Sequence, residues 1–283
     1  MDDRIQKCLS CDGQNLKYYA ENKTLKLPIY ICQDCKLHTT GTSQKQLESI
    51  LENFYDEEFW DKSRDSGLND SHSDAYSVGR KRLFTSQLKY IKKFLKNDFS
   101  ILEIGSGHGE TLIEFEKLNF KITGIEPDSK NVTHLKKILK RSKIIQSSIE
   151  ELNINEKFDL IWMSHVFEHL SDPISFLKNI QKNMNYNSIL FIEVPSVTKK
   201  NDYRKFTSSP HAYNFSGISL QNLLQKTGYK IIMQDYFGPP TKINGLINKI
   251  HNSLFKKEFY QFYPKMRLNS ETGEDIRTIV KLR

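Results

Sequence analysis

The stretch "ILEIGSGHGE", residues 101–110, constrains this chain most. An apolar run ends at Glu103 and Ile104, and Gly105, Gly107 and Gly109 follow at alternate positions. The run reads as a buried strand, and "GETLIEFEKLN" beyond it has the apolar spacing of an amphipathic helix. Glycine lets backbone adopt left-handed conformations and approach a ligand closely. A strand, a glycine turn and a helix in that order open an α/β unit with a ligand at the carboxyl end of its sheet. The spacing narrows the ligand. Dinucleotide sites use G-x-G-x-x-G, and here the third glycine comes one residue early. No Lys-Ser or Lys-Thr follows, which excludes a P-loop. Glu103 sets a negative charge beside the ligand, wrong for a phosphate and right for an ammonium or sulfonium. Glu126 in "GIEPD" stands 21 residues after Gly105, where a carboxylate accepts hydrogen bonds from both hydroxyls of a ribose.

From residue 100 onward apolar runs and amphipathic helices alternate, which predicts a parallel sheet covered on both faces. Before it, "SQKQLESILENFYDEEFWDKS" has helical spacing, with Leu47, Ile50, Leu51 and Phe54 on one face. Residues 64–74 are polar and read as a linker or flap. No run approaches the roughly 18 apolar residues of a membrane span. The charged start "MDDRIQKC" lacks the apolar stretch of a secretion signal, so the expected compartment is the cytoplasm. The net charge of +8 is uneven: residues 238–283 carry nine Lys and Arg against four Asp and Glu. Such a surplus suits either a solvated surface or an anionic partner.

All four cysteines lie near the start, in "CLSCDG" and "CQDCKLH". Cys8, Cys11, Cys32 and Cys35 make two C-x-x-C pairs twenty residues apart, the spacing of a zinc ribbon. A disulfide framework is the alternative, and it conflicts with a cytoplasmic chain. Four thiolates would fill the coordination of a structural zinc. His38, three residues after Cys35, is either a substitute ligand or an exposed histidine.

Residues 75–237, and less securely through 283, resemble a class I S-adenosylmethionine-dependent methyltransferase. The resemblance is carried by "ILEIGSGHG", "ITGIEPD", "IIQSSIEEL", "FDLIWMSHVFEHLSDP" and "ILFIEVPS". It implies a Rossmann-like α/β fold, a seven-stranded mostly parallel sheet with helices on both faces, beside a small N-terminal zinc ribbon. The expected organisation is a ribbon over 1–42, a helical linker and flap over 43–74, and the methyltransferase domain over 75–283 with an insertion near 238–276. By match, Glu103, Gly105, Gly107 and Gly109 hold the amino acid part of the cofactor and Glu126 its ribose. Ser148 and Ile149 line the adenine, and Ser164 closes the set at the end of the fourth strand. Many members carry Asp where this chain has Ser148. The segment "HAYNFSGISLQNLLQKTGY" is similar to members that modify sugars, glycans and small metabolites, several of which carry a cysteine-rich N-terminal module.

The acceptor is read from what surrounds the fourth strand. "SHVF" is not the [DN]-P-P-[YF] of enzymes that methylate aromatic or amide nitrogens, and no cysteine remains for covalent chemistry. Transfer to a hydroxyl needs a base. His165, His169 and His211 are the candidates, with His211 preferred and no catalytic metal expected. Ubiquinone-pathway and small-RNA methyltransferases, which the chain also resembles, hold a divalent ion with E-x-x-E-H; the matching positions are His165, Glu168 and His169. The leading acceptor is a sugar, glycan precursor or related small hydroxylated metabolite. RNA is the alternative, contacted by the ribbon and the basic, aromatic segment 251–267. A non-catalytic binder has no need of the glycine turn and both acids.

Overall fold

A computed structural model describes residues 5–54, 74–149, 152–197, 206–238, 246, 266–268 and 272–283. The polar flap and nearly all of segment 251–267 lie outside them. The chain begins with three strands, β1 (Leu16–Asn22), β2 (Leu27–Cys32) and β3 (His38–Thr40), and a helix α1 (Gln44–Phe54). Leu47 and Leu51 of α1 are buried, as their spacing predicts.

The main sheet then alternates with helices. Helix α2 (Asp74–Ile91) precedes β4 (Ser100–Ile104), α3 (Glu110–Lys117), β5 (Lys121–Glu126), α4 (Ser129–Ile138) and β6 (Lys143–Gln146). There follow β7 (Phe158–Ser164), α5 (Pro173–Ile180), β8 (Met184–Pro195), a short β9 (Tyr213–Asn214) and α6 (Gly217–Lys226). The chain closes with β10 (Tyr229–Gly238), β11 (Met266–Leu268) and β12 (Asp275–Leu282). Helices α4, α5 and α6 begin where side chains satisfy their first amides. Asp128 accepts from the amides of Lys130 and Asn131, Asp172 precedes Pro173 at the first position, and Ser216 and Ser219 form a capping box.

The sheet order is β11-β10-β12-β8-β7-β4-β5-β6. This corrects the expectation of seven mostly parallel strands: eight are present among the described residues, and the sheet is mixed. Neighbours from β6 to β8 are parallel, whereas β8–β12, β12–β10 and β10–β11 are antiparallel. The extra strand comes from the insertion after β10, which returns to pair Tyr236 with Leu268 at the edge. Apolar patterning marks β12 as buried but is blind to its direction.

Side chains alternate between two cores, one on each face. Leu160 and Trp162 of β7 pack with Phe84, Phe115 and Phe191 on one side. Ile161 and Met163 face the other side, in a cluster that also contains Cys8, Leu27, Cys35, Leu37 and Leu47. The cysteine module therefore shares the core of the main sheet. Its own sheet has the order β1-β2-β3-β9, and β9 is supplied from beyond β8. His38 pairs with Asn214 and Thr39 with Tyr213. Ser10 Oγ donates to the carbonyl of Ser219, and Ser216 Oγ to that of Cys35, at 2.6 Å. Shared strands and a shared core join the module to the main sheet.

Leu37 is fully buried where the module meets the main sheet. Leu37→Ala is expected to lower stability by about 2–5 kcal/mol. Urea titration should give one transition whether read by circular dichroism or tryptophan fluorescence; two separated transitions would show independent folding.

Candidate functional site

The glycine turn sits where β4 ends. Gly105, Gly107 and Gly109 all have positive φ, at 74°, 52° and 82°. A Cβ on Gly105 would lie 2.4 Å from Val166 Cγ2, so only glycine fits there. A Cβ on Gly107 would meet nothing within 4 Å: its backbone faces open space, as a ligand requires. The turn is clamped to β5, since the amides of Gly105 and Ser106 both donate to the carbonyl of Ile125. Glu126 ends β5 with its carboxylate against this turn, accepting from the Gly107 amide at 2.7 Å and the Asp128 amide at 3.1 Å. Burial pushes its carboxyl up to about 7, against the pull of those amides. Glu103 is buried one turn away on β4. Ser148 and Ile149 follow β6, where Ile149 packs against the core. Ser164 ends β7 and accepts from Gln87 Nε2 at 2.8 Å.

Beyond β7 the chain turns through His165, at φ 56°. Its amide donates to the carbonyl of Glu193 at 2.9 Å. Its ring stands among three carboxylates: Nε2 is 3.3 Å from Glu193 and 3.9 Å from Asp275, and Nδ1 is 3.6 Å from Glu168. Burial opposes the charge on this imidazole, but Glu168 and Glu193 outweigh it and lift its pKa to about 10. A protonated His165 has no lone pair to offer as a base, and the three carboxylates favour that form. Glu193 also receives Arg277 Nε and Gln87 Nε2, and Arg277 is wholly buried with its guanidinium 4.0 Å from the centre of the Phe237 ring. Glu193, Asp275 and Arg277 were hidden within the runs "ILFIEVPS" and "DIRTIVKL", where a charge inside an apolar strand is the one available signal.

A second cluster lies beside the first. His169 and His211, 42 residues apart in sequence, stack edge to face with ring centres 4.8 Å apart. One ligand atom from each of Glu168, His169 and His211 lies within 4.8 Å of the other two. His169 Nδ1 donates to the Pro210 carbonyl at 3.3 Å, and burial pushes the ring down to about 4, leaving it neutral. Glu168 is ionised: burial works against that, yet His165 and then His169 hold it down to about 2. Both its oxygens are buried without a hydrogen bond. Two imidazoles and an unsatisfied carboxylate can take a proton from an acceptor, or hold a divalent cation.

The four cysteine sulfurs lie within 4.8 Å of one another as free thiols, Cys8 to Cys35 at 3.4 Å and Cys11 to Cys32 at 3.6 Å. A tetrahedron of thiolates around zinc has edges of about 3.8 Å, so the donor set and spacing fit that ion. The hydrogen bond from Cys35 draws the Cys8 thiol down to about 5 and pushes the Cys35 thiol up. His38 is neither a fifth donor nor exposed. It is buried between Tyr19 and Phe206, and burial lowers it to about 4.

A family model described as "Methyltransferase domain" matches residues 75–234, more than half of the chain. The chain belongs to that family. This methyltransferase domain is 29% identical over 130 residues to the ubiquinone biosynthesis O-methyltransferase of Pelagibacter ubique, covering 40% of the chain and 54% of that relative. It is 26% identical over 142 residues to the tRNA U34 carboxymethyltransferase of Campylobacter jejuni subsp. doylei, covering 46% and 49%. The chain thus spans about half the length of these relatives. Among solved structures, the plantazolicin methyltransferase BpumL in complex with SAH aligns with TM-score 0.55 and 16% identity, over 85% of this chain and 99% of that one. A SAM-dependent methyltransferase from Archaeoglobus fulgidus aligns with TM-score 0.51 and 18% identity, over 71% and 94%. At such identities the likeness is one of fold.

The position of Glu126 has a titratable consequence. In the ribose-binding role expected for it, only the ionised form accepts from both hydroxyls, and burial raises its pKa to about 7. Affinity for S-adenosylmethionine is expected to rise between pH 6 and 8 in the wild type and to lose that rise in Glu126→Gln. Glu126→Ala should weaken binding about tenfold or more, given about 1.5–3 kcal/mol for each charged hydrogen bond. Calorimetry checks both.

Proposed function

We propose that this chain transfers the methyl group of S-adenosylmethionine to a hydroxyl of a sugar, glycan precursor or related small hydroxylated metabolite. The observation that carries the reading is the placement of His169, His211 and Glu168 beside the carboxyl end of β7, on the same edge of the sheet as the glycine turn. The name of the Pelagibacter relative supports an oxygen acceptor, and the likeness of residues 211–229 to sugar- and glycan-modifying members supports the class. S-adenosylmethionine, when bound, supplies a methyl on a sulfonium that leaves as a neutral thioether. Glu126 holds the ribose and Glu103 faces the charged amino acid end, with Ser148, Ile149 and Ser164 completing the pocket. His211 accepts the hydroxyl proton as the acceptor oxygen takes the methyl, and becomes the imidazolium. Glu168, already anionic, stabilises that charge.

Two further assignments belong to this reading. Cys8, Cys11, Cys32 and Cys35 hold one structural zinc, which fits their spacing and leaves no open coordination position. A cation at Glu168, His169 and His211 is a second mechanistic reading, favoured by the buried Glu168 oxygens that lack hydrogen bonds. It would neutralise a developing alkoxide in place of the base. RNA is a second acceptor class, supported by the name of the Campylobacter relative and by the basic residues of 238–283.

Labelled S-adenosylmethionine offered with separate RNA, sugar-nucleotide and envelope fractions tests the acceptor; label entering RNA alone would sink the metabolite reading. His211→Asn is expected to cut turnover by about 10²–10⁴-fold without changing cofactor affinity. Turnover lost in EDTA while the cysteines keep their metal would replace the base with the cation. Metal analysis of the native protein is expected to find one zinc per chain.

A further inference from the structure

His211 stands on a loop, yet its ring is held from two sides. Its Nδ1 lies 3.1 Å from Asn214 Oδ1, and Asn214 is buried. With the Asn214 oxygen turned toward the ring, Nδ1 donates to it, and a neutral imidazole then has its lone pair on Nε2. The backbone around the ring is held by β3. Thr40 Oγ1 donates to the carbonyl of His211 at 2.8 Å, the Thr40 amide to that of Ala212 at 2.9 Å, and Asn214 pairs with His38. Strand β3 begins three residues after Cys35.

We propose that Asn214 is a positioning residue: held in place by β3 of the cysteine module, it locks His211 in the tautomer that keeps the Nε2 lone pair for the acceptor. The proposal rests on the reading that His211 acts through Nε2, as base or as ligand. It gives the module a role inside the site. The cysteine turns flank β3, β3 pairs with β9, and β9 holds the ring. A free imidazole in water favours hydrogen on Nε2, so an unrestrained His211 would present the wrong nitrogen much of the time. The charged and titratable groups facing the ring are Glu168 and His169, and neither contacts its Nδ1 edge through a hydrogen bond given by the structure.

The full chain, with ¹⁵N-labelled histidine, tests this by long-range ¹H–¹⁵N spectra, His211→Asn assigning the ring. Wild type should show hydrogen on Nδ1 of His211. Asn214→Leu, which removes the acceptor, should move the ring toward the Nε2–H form, and Asn214→Asp should restore the wild-type form. Turnover should fall in the Leu variant by about 10–10⁴-fold with cofactor affinity unchanged, the size expected of a wrong tautomer. In the Asp variant turnover should recover, and the acid limb of its pH profile should move to higher pH, because a carboxylate beside the ring favours its protonated form. A Leu variant with the wild-type ring pattern overturns the proposal. Should that variant fail to fold, the Asp variant decides: hydrogen on Nε2 of its His211 overturns it. Normal turnover in His211→Asn would overturn the base reading alone, because the ring spectra do not depend on turnover.

Discussion

The imidazolium of His165, held among Glu168, Glu193 and Asp275, is the interaction on which the acceptor side of the molecule depends. Three carboxylates gathered at the ends of β7, β8 and β12 would repel one another and lose their water. His165 and Arg277 supply the counter-charge from opposite sides of Glu193. The left-handed backbone at His165 aims its ring into that gap, a conformation rare outside glycine and sustained here by the hydrogen bond from its amide to the Glu193 carbonyl. Removing one partner of such a buried pair leaves an uncompensated charge at a cost of about 3–5 kcal/mol, so the chain is held as a unit. Its last member, Glu168, is held toward its ionised form with both oxygens free of hydrogen bonds, and one of them lies within 4.8 Å of both His169 and His211.

The two halves of the site are built from different material. On the cofactor side, backbone amides at positive φ and two buried acids meet where β4 and β5 end, all within 25 residues. On the acceptor side, side chains converge from the turn after β7, from β8, from β12 and from the loop before β9. The first half is local and rigid, so its chemistry is shared widely among proteins of this fold. The second draws on distant segments, from strand ends and loops, the parts in which proteins of one fold differ most.

The cysteine module belongs to the second half. Its third strand is completed by β9, its Leu37 enters the core beneath the main sheet, and its Cys35 carbonyl receives Ser216 at the cap of α6. The module's third strand is tied through a two-residue ladder to the loop that carries His211.

The glycine turn, Glu126, the paired cysteines and the order of strands and helices were legible in the amino-acid order, because each depends on neighbours a few residues away. The positive φ at Gly107 and the paired spacing of Cys8 and Cys11 are properties of single turns. The direction of β12, the extra edge strand, the cation at His165 and the pairing of Asn214 with His211 were not legible. Arg277 and Glu193 are 84 residues apart, and Asn214 and His38 are 176 apart. Nothing in the local pattern states that such residues meet. The sequence by itself determined that a ligand with a ribose and a positive charge can be held at the end of β4. Only the tertiary structure decided that His165 is pushed toward its charged form and His169 toward its neutral one, because burial and neighbouring charge set those states, and both exist only once the chain has folded.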